Sequence, residues 1–255
     1  MFRPRVIPVL LLRNGGLVKT VGFGKPRYIG DPINAVRIFN DHRADELVFL
    51  DILATREGRL IPLEFVRDVG EEANMPFAVG GGIRSLEEIR AILSAGAEKV
   101  VLNSFAAENP DFIARAADSF GSSTITVCID VKHKRFAGLQ TWTIGGTRAT
   151  GYTPEDFARL AEERGAGEII VQSITRDGTM EGYDLDLIGR VSEAVTIPVV
   201  ALGGAGTLDH LRQAYHETHV SGLAAGSMFV FQGPRRGVLI NYPDRAEIAE
   251  LKLIS

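Results

Sequence analysis

A carboxylate that closes an apolar run is a candidate for proton chemistry. Asp130 ends such a run in TITVCIDVKHK, Thr124 to Lys134. At the end of a buried strand it is partly desolvated, which raises its pKa and fits it for general acid–base work; capping a helix or ordering a loop is its plainer role. A second run, VIPVLLLRNGG from Val6, follows the same pattern but carries Leu11 at the matching place. Asp177, in TRDGTMEGYD, sits in an Asp-Gly turn that turn chemistry alone accounts for. Lys19 is either a phosphate contact or a solvated lysine.

Two glycine turns come next. VGGGIRS, with Gly81 and Gly82, and LGGAGTLD, with Gly203 and Gly204, each precede a helical pattern, where bare N–H groups and the helix dipole favour an anion. VLNSFA adds Asn103 and Ser104, and AAGSMF adds Gly226 and Ser227. One such turn has a steric explanation. Two in matching places, each with a small hydroxyl nearby, point to a ligand with two phosphates. Arg5, Glu46, Lys99 and Glu168 stand instead at strand starts, and four such charges must pair if they are buried.

These residues need a frame. Eight short apolar runs (RVIPVLL, ELVFLDI, PFAVGGG, KVVLNS, TITVCIDV, EIIVQSI, IPVVALGG and SGLAAGS) alternate with amphipathic helical patterns. SLEEIRAILSAGA opens on a capping box of Ser85 and Glu88 and stops at Gly96; TPEDFARLAEERGAG opens at Thr153 and stops at Gly165. DELVFLDI repeats as GEIIVQSI, and FAVGGGIRSLEEIR as VALGGAGTLDHLR, at about half the chain length. The fold class is therefore α/β: a single (β/α)8 TIM barrel with a two-fold half-barrel repeat, one domain over residues 1–255. Leu11 and Asp130 become twins on opposite strands of its active face, while the four strand-start charges meet at its floor.

Bulk properties agree. The 255 residues are 45% apolar and 24% charged, with a net charge of −4, the mix of a globular protein without a basic footprint for nucleic acid. No segment reads as a signal peptide or a membrane span. The lone Cys128 lies in an apolar run and reads as an inert core thiol in a reducing, cytoplasmic setting. The five histidines have no matching ligands, and neither a metal nor a cofactor is expected. RFAGLQTWTIGG reads as a small hairpin over the mouth, a lid carrying Phe136 and Trp142.

DELVFLDI, VGGGI, GAGEI, RDGT, GYD and GGAG, in this order and spacing, resemble the cyclase subunit of imidazole glycerol phosphate synthase, the HisF family, over nearly the whole chain. The resemblance implies a barrel that takes ammonia at its floor from a HisH-like glutaminase partner and passes it to the mouth, where a two-phosphate substrate is cleaved and closed. It places Asp130 at one of two catalytic aspartates and Asp177 and Lys19 among the mouth residues, and the three together are the expected catalytic set. Gly81, Gly82, Asn103, Ser104, Gly178, Gly203, Gly204, Gly226 and Ser227 fall at its phosphate sites, and Arg5, Glu46, Lys99 and Glu168 at its ammonia gate.

Leu11 departs from the family pattern, which has the second catalytic aspartate there. So does FVFQGPRRGVLINYP, Phe229 to Pro243. Together they resemble a paralogous branch associated with amidation of bacterial surface sugars, in which ammonia goes on to a sugar-amidating ligase. The expected function is that of an ammonia-receiving barrel in a glutamine amidotransferase complex. The alternatives are the histidine-pathway cyclase itself and a phosphate-ligand binding module without ammonia transfer.

Overall fold

The computed structural model describes residues 3–252. Eight parallel strands form a closed ring: β1 (Arg5–Arg13), β2 (Leu47–Asp51), β3 (Phe77–Gly80), β4 (Lys99–Leu102), β5 (Ile125–Lys134), β6 (Glu168–Ser173), β7 (Val199–Leu202) and β8 (Gly222–Ala225). Each pairs with the next, and β8 pairs back onto β1 in register from Arg5 opposite Gly222 to Pro8 opposite Ala225. The fold is the expected (β/α)8 barrel. Each of the first seven strands is followed by a crossover helix, such as Pro32–Asp41 after β1 and Leu86–Ser94 after β3.

Local chemistry sets the helix starts. Ser85 accepts from the Glu88 N–H while Glu88 caps back, completing the box expected from the sequence. Thr153 caps Pro154–Glu163 by accepting from Asp156 N–H, with Pro154 already set for the first turn. Asp184 and Thr207 do the same for the helices after β6 and β7.

The period of two along each strand divides the core into two layers. Outward residues such as Leu10, Phe49, Phe77 and Val127 pack under the helices in the larger cluster. Inward residues fill the barrel: Ile7, Val9, Val48, Ala78, Val101, Cys128, Ile170, Val200, Leu202 and Ala224 form a separate apolar plug, with Leu50 against it. At roughly 1.5–3 kcal/mol per buried large aliphatic side chain, both layers contribute to holding the ring shut. Along β1 the inward column reads Arg5, Ile7, Val9, Leu11, Arg13; along β5 it reads Thr126, Cys128, Asp130. Register therefore decides which end of the barrel each charge reaches.

Three excursions ride on the ring. After β1, the strands Gly16–Lys19 and Arg27–Gly30 fold back beside it. β5 runs past the barrel wall and pairs antiparallel with Gly138–Thr143, a hairpin whose turn leaves Phe136 94% exposed. After β8, Phe231–Gln232 and Gly237–Val238 form a small hairpin, and Tyr242 ties the following segment to the base of β1 through its hydroxyl on the Val6 carbonyl at 2.9 Å. No helix among the described residues is long and apolar enough to cross a membrane.

Candidate functional site at the barrel mouth

At the strand ends opens a cavity of about 320 Å³. Leu11, Arg13, Leu50, Asp51, Gly80 to Gly82, Asn103, Ser104, Cys128, Asp130 and Gln172 line it from below and the sides. Phe23, Gly24 and Pro26 reach in from the first excursion and Ile144 and Gly145 from the segment that follows the β5 hairpin. That segment is fastened from below, since Ile144 N–H donates to Ser104 Oγ at 3.0 Å and the Lys132 ammonium donates to the Gly146 carbonyl at 2.6 Å. Lys132 also lies 4.0 Å from the Trp142 ring centroid, and the Trp142 indole donates to the Lys132 carbonyl.

Asp130 is buried against the apolar plug. Its carboxylate accepts from Asn103 Nδ2 at 3.2 Å and faces Cys128 Sγ at 3.6 Å. Burial pushes its pKa up to about 7 and the nearby negative Asp177 adds to this, while the bonds from Cys128 and Asn103 work the other way. At neutral pH it is poised between acid and base. Burial and the negative charge of Asp130 together push the Cys128 thiol well above its usual range, so it is no thiolate nucleophile. Leu11, also buried, borders the same cavity.

Asp51, another buried carboxylate bordering the mouth, is fully engaged. It accepts from Leu53 and Ala54 N–H and pairs with Arg59 at 2.6 Å. Asp177 is paired too: Lys19 Nζ lies 2.8 Å from one carboxylate oxygen, and Thr20 Oγ1 donates to the other at 3.1 Å. The Lys19 stem runs over Gly226, where a Cβ would lie 2.8 Å from Lys19 Cε.

The two half-barrels are thus unequal. Gly81, Gly82, Asn103 and Ser104 of the first half border the cavity. Gly178, Gly203, Gly204, Gly226 and Ser227 of the second half do not, and neither do Lys19 or Asp177. Ser227 Oγ is buried without a hydrogen-bond partner. Arg236, from the last hairpin, donates instead to the Gly178 and Thr179 carbonyls at 2.9 and 2.7 Å. Close packing accounts for glycine at two of these turns: a Cβ on Gly82 would lie 1.8 Å from the Arg59 carbonyl oxygen, and one on Gly204 2.1 Å from that of Gly182.

At the floor the four charges meet in one closed circuit. Arg5 bonds to Glu46 and Glu168, and Lys99 bonds to the same two at 3.0 and 3.2 Å. Burial works against the Arg5 charge, yet the two glutamates outweigh it and hold its pKa above the ordinary value. Among the described residues no group of three His, Cys, Asp or Glu side chains is placed to hold a metal.

Arg13, Arg56 and Gln172 also border the mouth, and the sequence reading passed over them. A signal for Arg13 was present, since it stands two residues beyond Leu11 and so on the same face of β1. Arg56 and Gln172 carried no comparable pattern.

The barrel agrees with a comparison to known sequences. The family described as histidine biosynthesis protein matches residues 5–234. The chain belongs to that family. A protein of Leptospira interrogans, provisionally named imidazole glycerol phosphate synthase subunit HisF, is 46% identical over 248 residues, 97% of this chain and 98% of its own. A hisF2 protein of Pseudomonas aeruginosa, also provisionally named as such a subunit, is 46% identical over 244 residues, 96% and 97% of the two chains. The imidazole glycerol phosphate synthase subunit HisF of Caulobacter vibrioides is 44% identical over 232 residues, 91% and 89%. The protein is a HisF-like barrel.

Proposed function

We propose that this barrel is the ammonia-receiving subunit of a glutamine amidotransferase complex, with a HisH-like glutaminase docked at its floor, and that its own cyclase chemistry is weak. One observation carries the reading. Asp130 is poised near neutrality in a mouth cavity that Leu11 borders where the family pattern has an acid, while the circuit of Arg5, Glu46, Lys99 and Glu168 is complete beneath the apolar plug. A leucine neither gives nor takes a proton, and one missing member of an acid–base pair costs roughly a hundred-fold or more in rate.

In this reading Asp130 handles the one proton transfer left at the mouth. Asp177 and Lys19 hold the first and sixth crossovers in place around it. A phosphorylated ligand lies over Gly81, Gly82, Asn103 and Ser104, and the ammonia passes on to a ligase that amidates a nucleotide-linked sugar in surface polysaccharide synthesis. The histidine-pathway cyclase is the competing reading, and the Caulobacter relative, which carries that name without qualification, favours it.

The test is to supply the purified barrel with the histidine-pathway substrate and an ammonium salt. Turnover at the rates typical of enzymes, about 1–10³ per second, overturns the proposal in favour of the cyclase. A HisH-like glutaminase is expected to gain activity when the barrel is added. No gain removes ammonia transfer.

A further inference from the structure

The large apolar side chains that the fold leaves in solvent are not scattered. Among the described residues they are Val21, Tyr28, Phe136, Val238 and Leu239, and all five sit on the excursions that follow β1, β5 and β8. None is on a crossover helix. A lone exposed apolar residue needs no explanation, but five confined to three connections do.

Charge follows the same division. The chain carries 32 acidic residues and a net charge of −4, yet no aspartate or glutamate falls within residues 14–30, 132–149 or 231–243. The same stretches hold Lys25, Arg27, Lys134, Arg135 and Arg235, which are exposed and take part in no ion pair among the described residues. The excursions also touch one another. Arg27 donates to the Arg236 carbonyl at 3.1 Å and lies over the Phe231 ring, joining the first to the last. A Cβ on Gly146 would lie 3.2 Å from the Phe23 ring, so the segment after the β5 hairpin rests against the first excursion. Together they make a basic and apolar rim on a barrel whose net charge is negative.

Phe136 is the sharpest case. It is 94% exposed, and its φ of 65° lies in the left-handed region, where glycine or asparagine costs less. Arg135 lies 4.8 Å from its ring centroid. An aromatic so little buried adds almost nothing to folding, whereas aromatic and arginine side chains are the types that carry most of the energy at protein interfaces.

We propose that this rim is the docking surface for the protein that accepts the ammonia, and that this partner covers the mouth with acidic side chains set around apolar pockets, one of which takes Phe136. The proposal rests on the ammonia-transfer reading above. Ammonia that leaves through an open mouth meets bulk water and is protonated to ammonium, which has no lone pair for attack; a partner seated on the rim receives it unprotonated. A second copy of this chain does not fit, because pairing the surface with itself sets basic residues against basic residues.

A benzophenone amino acid in place of Phe136, in the full chain inside cells of the source organism, tests it by photo-cross-linking, with the captured protein identified by mass and then purified. That protein is expected to amidate its sugar from glutamine only when barrel and glutaminase are both present, and to bind the barrel more weakly at higher salt. Arg135→Glu and Phe136→Ser are each expected to weaken this binding by about tenfold or more, and glutamine-driven amidation to fall with it while amidation from ammonium salt persists. Thermal unfolding of both variants separates lost binding from lost folding. No cross-link, a cross-link to the glutaminase or to a second copy, or folded variants that bind like the wild type overturn the proposal. Sedimentation with phosphatidylglycerol vesicles that both variants abolish assigns the rim to a membrane and overturns it too. Stimulation of the glutaminase is read at the floor and should be unchanged in both variants. Its absence in the wild type removes the ammonia-transfer reading, whereas loss of the rim contact alone leaves that reading standing.

Discussion

Lys19 Nζ lies 2.8 Å from Asp177 Oδ1, and both side chains are buried although 158 residues separate them. The pair ties the excursion after β1 to the loop after β6. Thr20 supports it from the same strand end, through its hydroxyl on the second oxygen of Asp177.

Removing one partner strands the other's charge. Lys19→Met is expected to cost about 3–5 kcal/mol in urea unfolding, and Asp177→Leu a similar amount. The double variant, with neither charge left, should lose clearly less than the sum of the two. Additive losses would mean that the pair does not act as a unit.

Asp130 gives a pH signature. Its folded pKa of about 7 stands above the unfolded value near 3.8, so the folded state binds this proton more tightly. Its contribution to stability is full below about pH 4 and is lost as the pH rises through 7. A shift of about three units corresponds to roughly 4 kcal/mol between those limits. Asp130→Asn keeps the shape without the charge, and its stability relative to wild type should climb between pH 5 and pH 8. A difference that stays flat across that range contradicts the burial of an ionising group here.

Leu11→Asp places a second carboxylate beside the cavity. With the histidine-pathway substrate and ammonium salt, turnover is expected to rise at least about tenfold over the wild-type background. The added like charge should also push the Asp130 pKa further up. Turnover that stays level or falls, in a folded variant, would show that the missing acid does not limit the chemistry.

At the floor, Lys99→Met leaves Glu46 and Glu168 sharing Arg5 alone. Lys99 is partly exposed, so a loss of about 1–3 kcal/mol is expected rather than the full cost of a buried pair. Glu46→Gln in the same chain removes one of the two carboxylates left short of a cation, so the double variant should lose clearly less than the sum of the two single losses. Additive losses in urea unfolding would argue against the circuit.

Much of the frame was legible in the chain itself. Runs such as ELVFLDI and EIIVQSI alternate with capped amphipathic segments, and the half-chain repeat made Glu46 and Glu168 twins at the starts of β2 and β6, where the structure joins both to Arg5 and Lys99. The period of two also sent Leu11 and Asp130 inward at the mouth. The hairpin after β5 was expected as well, but the residues that reach the cavity are Ile144 and Gly145 just beyond it, not Phe136, whose side chain stands in solvent.

The sequence by itself determined the strand period, and with it which charges face the barrel axis and at which end, because side-chain alternation is a local property of an extended backbone. Only the tertiary structure decided how the two matching halves are used. Lys19 finds Asp177, Arg236 reaches the Gly178 carbonyl, and Arg13 Nε is left without a hydrogen-bond partner. These outcomes depend on the paths of crossovers distant in sequence, and no local pattern of residues specifies which of them will meet across a mouth.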